Sequence, residues 1–149
     1  MIVNRELVEK TLTSRMRGRA AIATTVVRIV TGVFFISVSI SKFTEHSKEV
    51  ADFKRYGVPI PEVAVYLVGA VELIGGIALT LGLLTRLAAL FLAADMIGAI
   101  STAGRVEGGS FNLGVAPTLL VAMLFLLWAG PGLLALDHRL LTRMSSAAT

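Results

Sequence analysis

Residues 20–41 read AAIATTVVRIVTGVFFISVSIS, an apolar run whose one charge, Arg28, stands near its middle. A hydrocarbon core about 30 Å thick calls for about 20 residues of helix, and this run supplies them. An arginine at such a position costs roughly 2.5–3.5 kcal/mol when it faces lipid. Two further runs repeat the pattern. Residues 62–84, EVAVYLVGAVELIGGIALTLGLL, carry Glu72 at mid-run, and residues 87–103, LAALFLAADMIGAISTA, carry Asp95. Leaving all three charges against lipid would cost on the order of 8–10 kcal/mol, so they are expected to meet inside a bundle.

Composition agrees with a membrane domain. Of the 149 residues 55% are hydrophobic and only 16% charged, with a mean hydropathy of +0.80, well above a soluble globular chain. A formal net charge of +4 could point to nucleic acid, but the basic residues gather at the ends of the apolar runs, where anionic lipid headgroups are the expected counterparts. With no cysteine, the chain has no disulfide, thiolate metal site or iron–sulfur cluster of its own. Electrons would have to pass through a bound cofactor or a partner.

Residues 115–129, bounded by Gly130, Pro131 and Gly132, form a fourth and shortest run. Pro59 and Pro61 precede the second run, and Thr85 and Arg86 are expected to make a tight turn between the second and third. The reading is therefore an all-α membrane protein, a four-transmembrane-helix antiparallel bundle with short interfacial helices at both cytoplasmic ends. Residues 1–19 are expected as a cytoplasmic amphipathic segment with Val8, Leu12 and Met16 on one face. Residues 20–132 form the four-helix domain. Residues 133–149 form a cytoplasmic tail carrying Leu133, Leu136, Leu140 and Met144. The first run is too long for a signal h-region and contains Arg28, so it is expected to stay uncleaved. Arginines near both termini give the expectation that both ends lie in the cytoplasm. The loop KFTEHSKEVADFKRYGVPIP is expected to hold a short helix capped by Thr44, with Val50 and Phe53 turned to the bundle and Gly57 ending it.

At 1.5 Å per residue, Arg28 and Asp95 lie about 12–14 Å from the cytoplasmic side, and Glu72 about 15 Å from the other. The reading places all three near one plane. Thr24, Thr25, Thr31, Gly32, Phe35 and Ser39 share the stripe of Arg28, and Lys42 continues it to the far end of the run. Gly69, Gly75 and Gly76 flank Glu72, so another helix can approach closely there. Arg28 is expected to pair with Glu72, with Asp95 as a second acid. With two carboxyls to one cation, one acid is expected to keep its proton, as a proton relay requires. A register-fixing ion pair without chemistry is the alternative. No histidine pair faces the core to hold haem or a metal, and no nucleotide-binding fingerprint is present.

RIVTGVFFISVSISKF at 28–43, GVPIP at 57–61, GAVELIGGIALTLGLLTRLAAL at 69–90 and LALD at 134–137 resemble, in order and spacing, the DoxX family of small four-helix membrane proteins. Asp95, and the lack of a histidine near Gly104, depart from that pattern. The resemblance implies a redox setting: a membrane subunit of a quinone-linked or sulfur- and oxidative-stress-related oxidoreductase system. Quinone is then the implied cofactor, and a soluble redox or sulfur-transfer protein the implied partner. Glu72, Arg28 and Asp95 are the candidate catalytic residues, and Arg28, Phe35, Lys42, Glu72 and Gly76 the candidate cofactor-binding residues. A non-enzymatic anchor for a soluble partner and a small transporter are the competing readings.

Overall fold

The computed structural model describes residues 12–109 and 111–137. Among the described residues the main helices are, in order, α1 Gly18–Thr44, α2 His46–Arg55, α3 Pro61–Leu81, α4 Thr85–Ser101, α5 Ala103–Val106 and α6 Ala116–Ala129, the last entered through a π-helical turn at Phe111–Val115. No strand occurs among the described residues. α1, α3, and α4 with α5 are long and apolar enough to cross a membrane, and the apolar helix over Leu113–Ala129 is shorter.

The bundle is built on the packing of α1 against α3, and glycine makes that contact possible. A Cβ on Gly32 would stand 2.8 Å from the Gly76 carbonyl oxygen, and one on Gly76 would stand 2.7 Å from that of Gly32. The two backbones therefore touch, which only small residues permit. α4 packs on α6 through Leu92, Met96, Met123 and Leu126, all buried, and Leu79 of α3 joins this core. α6 and α1 close the ring with a thinner contact.

Polarity is distributed as lipid requires. Thr24, Arg28, Ser39, Lys42 and Glu72 are buried inside, while Val30, Leu67, Ile74, Ile97 and Val121 stand on the outside, each more than half exposed. The hydroxyls of Thr24, Thr31 and Thr118 donate to carbonyls one turn back in their own helices, so they make no demand on a neighbour.

The turn between α3 and α4 falls at Gly82–Leu84 rather than at Thr85–Arg86, because α3 closes with a glycine C-cap. Gly82 takes φ +68°, and the Leu83 N–H donates to the Ala78 carbonyl at 2.8 Å. Thr85 is already the first residue of α4. The loop helix forms as expected, with Val50 buried and Gly57 at φ +74° beyond its end, but Thr44 does not cap it. Thr44 is the last residue of α1 and donates its hydroxyl to the Ile40 carbonyl, while Glu45 stands at the cap position.

Before α1 the chain is not helical at Met16 and Arg17; Arg17 is extended, and the Arg15 N–H donates to the Ala129 carbonyl at 2.8 Å. Leu12 is buried. Val8, Leu140 and Met144 lie outside the described residues. Residues 131 and 135–137 tuck against the bundle, with Pro131, Ala135 and Asp137 buried.

Candidate functional site

The two buried cations of α1 sit on one helical stripe, 14 residues or about 21 Å apart, and serve different ends of the bundle. Arg28 donates through Nη1 to the carbonyls of Leu79 at 2.5 Å and Thr80 at 3.2 Å, and through Nη2 to that of Leu133 at 3.3 Å. The first two are end carbonyls of α3, where the helix dipole favours a cation; that of Leu79 also accepts from the Gly82 N–H at 3.1 Å. Arg28 is thus a fastener at the α3–α4 turn, and it does not pair with Glu72.

Asp137 completes that fastener, and the sequence reading gave it no role. Its carboxylate accepts from the Leu84 N–H at 2.7 Å and the Thr85 N–H at 3.2 Å, while its own N–H donates to the Gly82 carbonyl at 3.0 Å. It caps α4 from 52 residues away and holds Leu84 at φ +47°, a conformation that costs a leucine about 1–2 kcal/mol. The Thr25 hydroxyl takes the Leu133 N–H at 2.7 Å and fixes the same strap. The signal for Asp137 was available in the LALD motif, as an acid just beyond a Gly-Pro-Gly break facing an otherwise uncapped helix start.

Glu72 finds its cation in Lys42. The Lys42 Nζ lies 2.8 Å from Glu72 Oε2, and both side chains are largely buried. Gly69 makes this possible, because a Cβ there would come within 3.1 Å of the Lys42 side chain. Asp95 lines the same end of the cavity as Glu72 and Lys42. The charge count argued for Arg28 therefore applies with Lys42 in its place: one cation beside two acids. Asp95 Oδ2 is buried and has no hydrogen-bond partner among the described residues.

These three groups form the polar end of a cavity of about 400 Å³ between α1, α2, α3, α4 and α6. Its other walls are chiefly apolar, with Phe35, Val38, Phe53, Val58, Met96 and Leu119 among them. Ligand pockets commonly combine an apolar lining with a few convergent polar groups, at about 300–1,000 Å³. Of the expected site residues, Phe35, Lys42, Glu72 and Asp95 line it. Arg28 does not, and Gly76 is spent on the contact with Gly32. Tyr56, which the sequence reading passed over, also lines it. Burial, followed by the neighbouring Glu107 carboxylate, pushes its phenol up to about 12. α2 covers one side of the cavity, tied down by Lys54 to Glu62 at 2.8 Å and by Arg55 to Glu107. No group of acidic or histidine side chains suited to a metal ion occurs among the described residues.

Comparison with known proteins agrees with this architecture. The DoxX family matches residues 23–105. The chain is 36% identical to "Uncharacterized membrane protein Rv3486" of Mycobacterium tuberculosis, over 80% of this chain and 82% of that protein. It is 33% identical to "Putative oxidoreductase CatD" of Bacillus subtilis, over 78% of this chain and 85% of that protein. No solved structure matches. With its apolar helices and buried polar seam, the chain is an integral membrane protein of the DoxX family.

Proposed function

We propose that this protein is the membrane subunit of a quinone-linked oxidoreductase system and that its cavity takes the quinone headgroup. One observation carries the reading: an apolar chamber ends in a lysine and two carboxyls, with one buried carboxyl oxygen left without a partner. A quinone supplies two-electron, two-proton chemistry, and its carbonyl and hydroxyl groups are the kind of polar atoms that Asp95 Oδ2 lacks. Glu72 and Asp95 would hold and exchange the proton, and Lys42 would offset the charge left on them. Phe35 and Met96 would pack against the ring. Electrons would come from a soluble redox or sulfur-transfer partner, since the chain has no cysteine. The oxidoreductase name of CatD supports a redox setting.

In this reading the chain crosses the bacterial cytoplasmic membrane four times, with α6 and its preceding turn as the fourth span. The helix over Leu113–Ala129 is about 25 Å long, enough for a thinned bilayer. Arg15, Arg17, Arg19 and Arg86 then lie on the cytoplasmic side. The same exposed Arg15, Arg17 and Arg19 favour a second reading, a non-enzymatic anchor holding a soluble partner.

The test is a detergent melt of the purified protein with a quinone analogue. A ligand at 100 times its Kd stabilises by about 2.7 kcal/mol, which raises the midpoint visibly. No shift at saturating quinone removes the reading, and partner capture that persists in Glu72→Gln supports the anchor. Tryptophan quenching is the wrong reporter, because Trp128 is 54% exposed with Arg15 over its ring and does not line the cavity.

A further inference from the structure

The bundle has a thin seam where α1 meets α6, and an apolar groove of about 360 Å³ runs along its outer surface. The groove is lined by Val30, Thr31, Phe34, Val115, Thr118 and Leu119. Among the described residues, Phe34 and Leu119 line both the groove and the cavity, so the two spaces meet at a shared wall. Phe34 stands edge-on to Phe35, with ring centroids 6.3 Å apart.

Resting on the quinone reading, we propose that the site takes a membrane-borne amphiphile: the headgroup enters from the bilayer between α1 and α6, past Phe34, and its hydrocarbon tail stays in the groove. Three observations choose this occupant. Among the described residues the groove is lined chiefly by apolar side chains, and the Thr31 and Thr118 hydroxyls donate their hydrogens to the carbonyls of Val27 and Gly114, each at 2.8 Å. A polar entrant would find little there to replace its hydration, whereas a hydrocarbon tail needs nothing. The side facing α2 is covered by Phe53, Tyr56 and Val58, with the Lys54–Glu62 and Arg55–Glu107 ion pairs beyond them, whereas the α1–α6 seam is thin. The order of the parts, polar end, apolar chamber, apolar groove, then bilayer, matches an amphiphile head to tail. The second apolar groove, between α3 and α4 around Ile74 and Phe91, shares no lining residue with the cavity and has no such role.

Nanodisc-reconstituted protein, titrated with a long-chain isoprenoid quinone and with the tailless dimethoxy-methyl-benzoquinone ring, provides the test. Thr118→Trp and, on the opposite wall, Val30→Trp fill the groove from positions exposed on the bundle surface. Each should weaken the tailed quinone about tenfold and leave the tailless ring within about twofold, and Ile74→Trp should change neither. Unchanged tailed affinity in both groove variants, or equal losses of both probes in variants that melt like the wild type, overturns the proposal. If the wild-type protein binds neither probe, the quinone reading itself fails, and the tail route falls with it. If only the ring-sized probe binds, quinone binding stands and the tail route is overturned.

Discussion

The Arg28 end and the Lys42 end of the bundle each bury charge, yet they spend it differently. At the first, Arg28 and Asp137 direct their charge at backbone: a cation against the end carbonyls of α3, and an anion against the first N–H groups of α4. These are helix ends at a tight turn, and two side chains help to satisfy them. At the second, Lys42, Glu72 and Asp95 direct their charge at one another and into a cavity. Charge committed to backbone fixes structure and has nothing left for a ligand. Charge that faces a cavity with an oxygen unbonded is stable only if a proton or a ligand completes it. The same stripe of α1 thus carries an arginine spent on backbone and a lysine that faces a cavity.

The largest expected effect tests the structural end. Arg28→Met should destabilise the bundle by about 3 kcal/mol or more, because it leaves the Leu79, Thr80 and Leu133 carbonyls without their charged donor. Asp137→Asn should lose less. Unfolding in mixed micelles measures both, and an Arg28→Met loss below about 1 kcal/mol would mean that the clamp is decorative.

The second effect separates the two ends. Lys42→Met and Glu72→Gln together should be milder than the sum of the single losses, with a coupling of at least about 1 kcal/mol. Arg28→Met with Glu72→Gln should add to within about 0.5 kcal/mol, as distant sites do. The reverse pattern in the same unfolding assay would restore the Arg28–Glu72 pair.

A smaller loss is expected at the contact on which both ends depend. Gly32→Ala places a methyl 2.8 Å from the Gly76 carbonyl, and overpacking of that kind costs about 1–3 kcal/mol. The melt should fall without loss of the Lys42–Glu72 coupling, whereas Gly98→Ala, inside α4 with open space at its Cβ, should keep or raise the melt.

The smallest effect concerns the cover. Tyr56 is pushed up to about 12 by burial and then by Glu107, so its neutral form favours the folded state. That contribution is complete below about pH 10, the usual phenol value, and is lost as pH rises through about 12. Ultraviolet titration of Tyr66→Phe protein isolates Tyr56. Glu107→Gln should lower its midpoint but keep it above the usual value, since burial is the larger cause. An unmoved midpoint would mean that Glu107 does not face the ring.

Much of the candidate site is legible in the sequence. Glu72 and Asp95 are readable because a carboxyl in the middle of an apolar span must face inward, and Phe35 and Lys42 because they share a helical stripe. Tyr56 is not, since it sits past the end of a loop helix whose docking depends on distant partners, Glu62 and Glu107. The Arg28–Glu72 pairing fails for a definable reason. Equal depth along the membrane normal says nothing about which way a long side chain reaches, and the two cations of α1 reach along the bundle to opposite ends.

What the sequence determined by itself is the solvent and the number of apolar runs, because both follow from transfer free energies summed over about 20 residues and need no neighbour. It also determined the helix ends that local chemistry dictates, as at Gly57 and Gly130. Only the tertiary structure decided which cation meets which acid, that Asp137 caps a helix 52 residues earlier, and that a cavity opens beside Asp95. Those outcomes depend on how closely α1 and α3 approach at Gly32 and Gly76. Contacts between distant stretches of chain set that distance, and no local pattern encodes them.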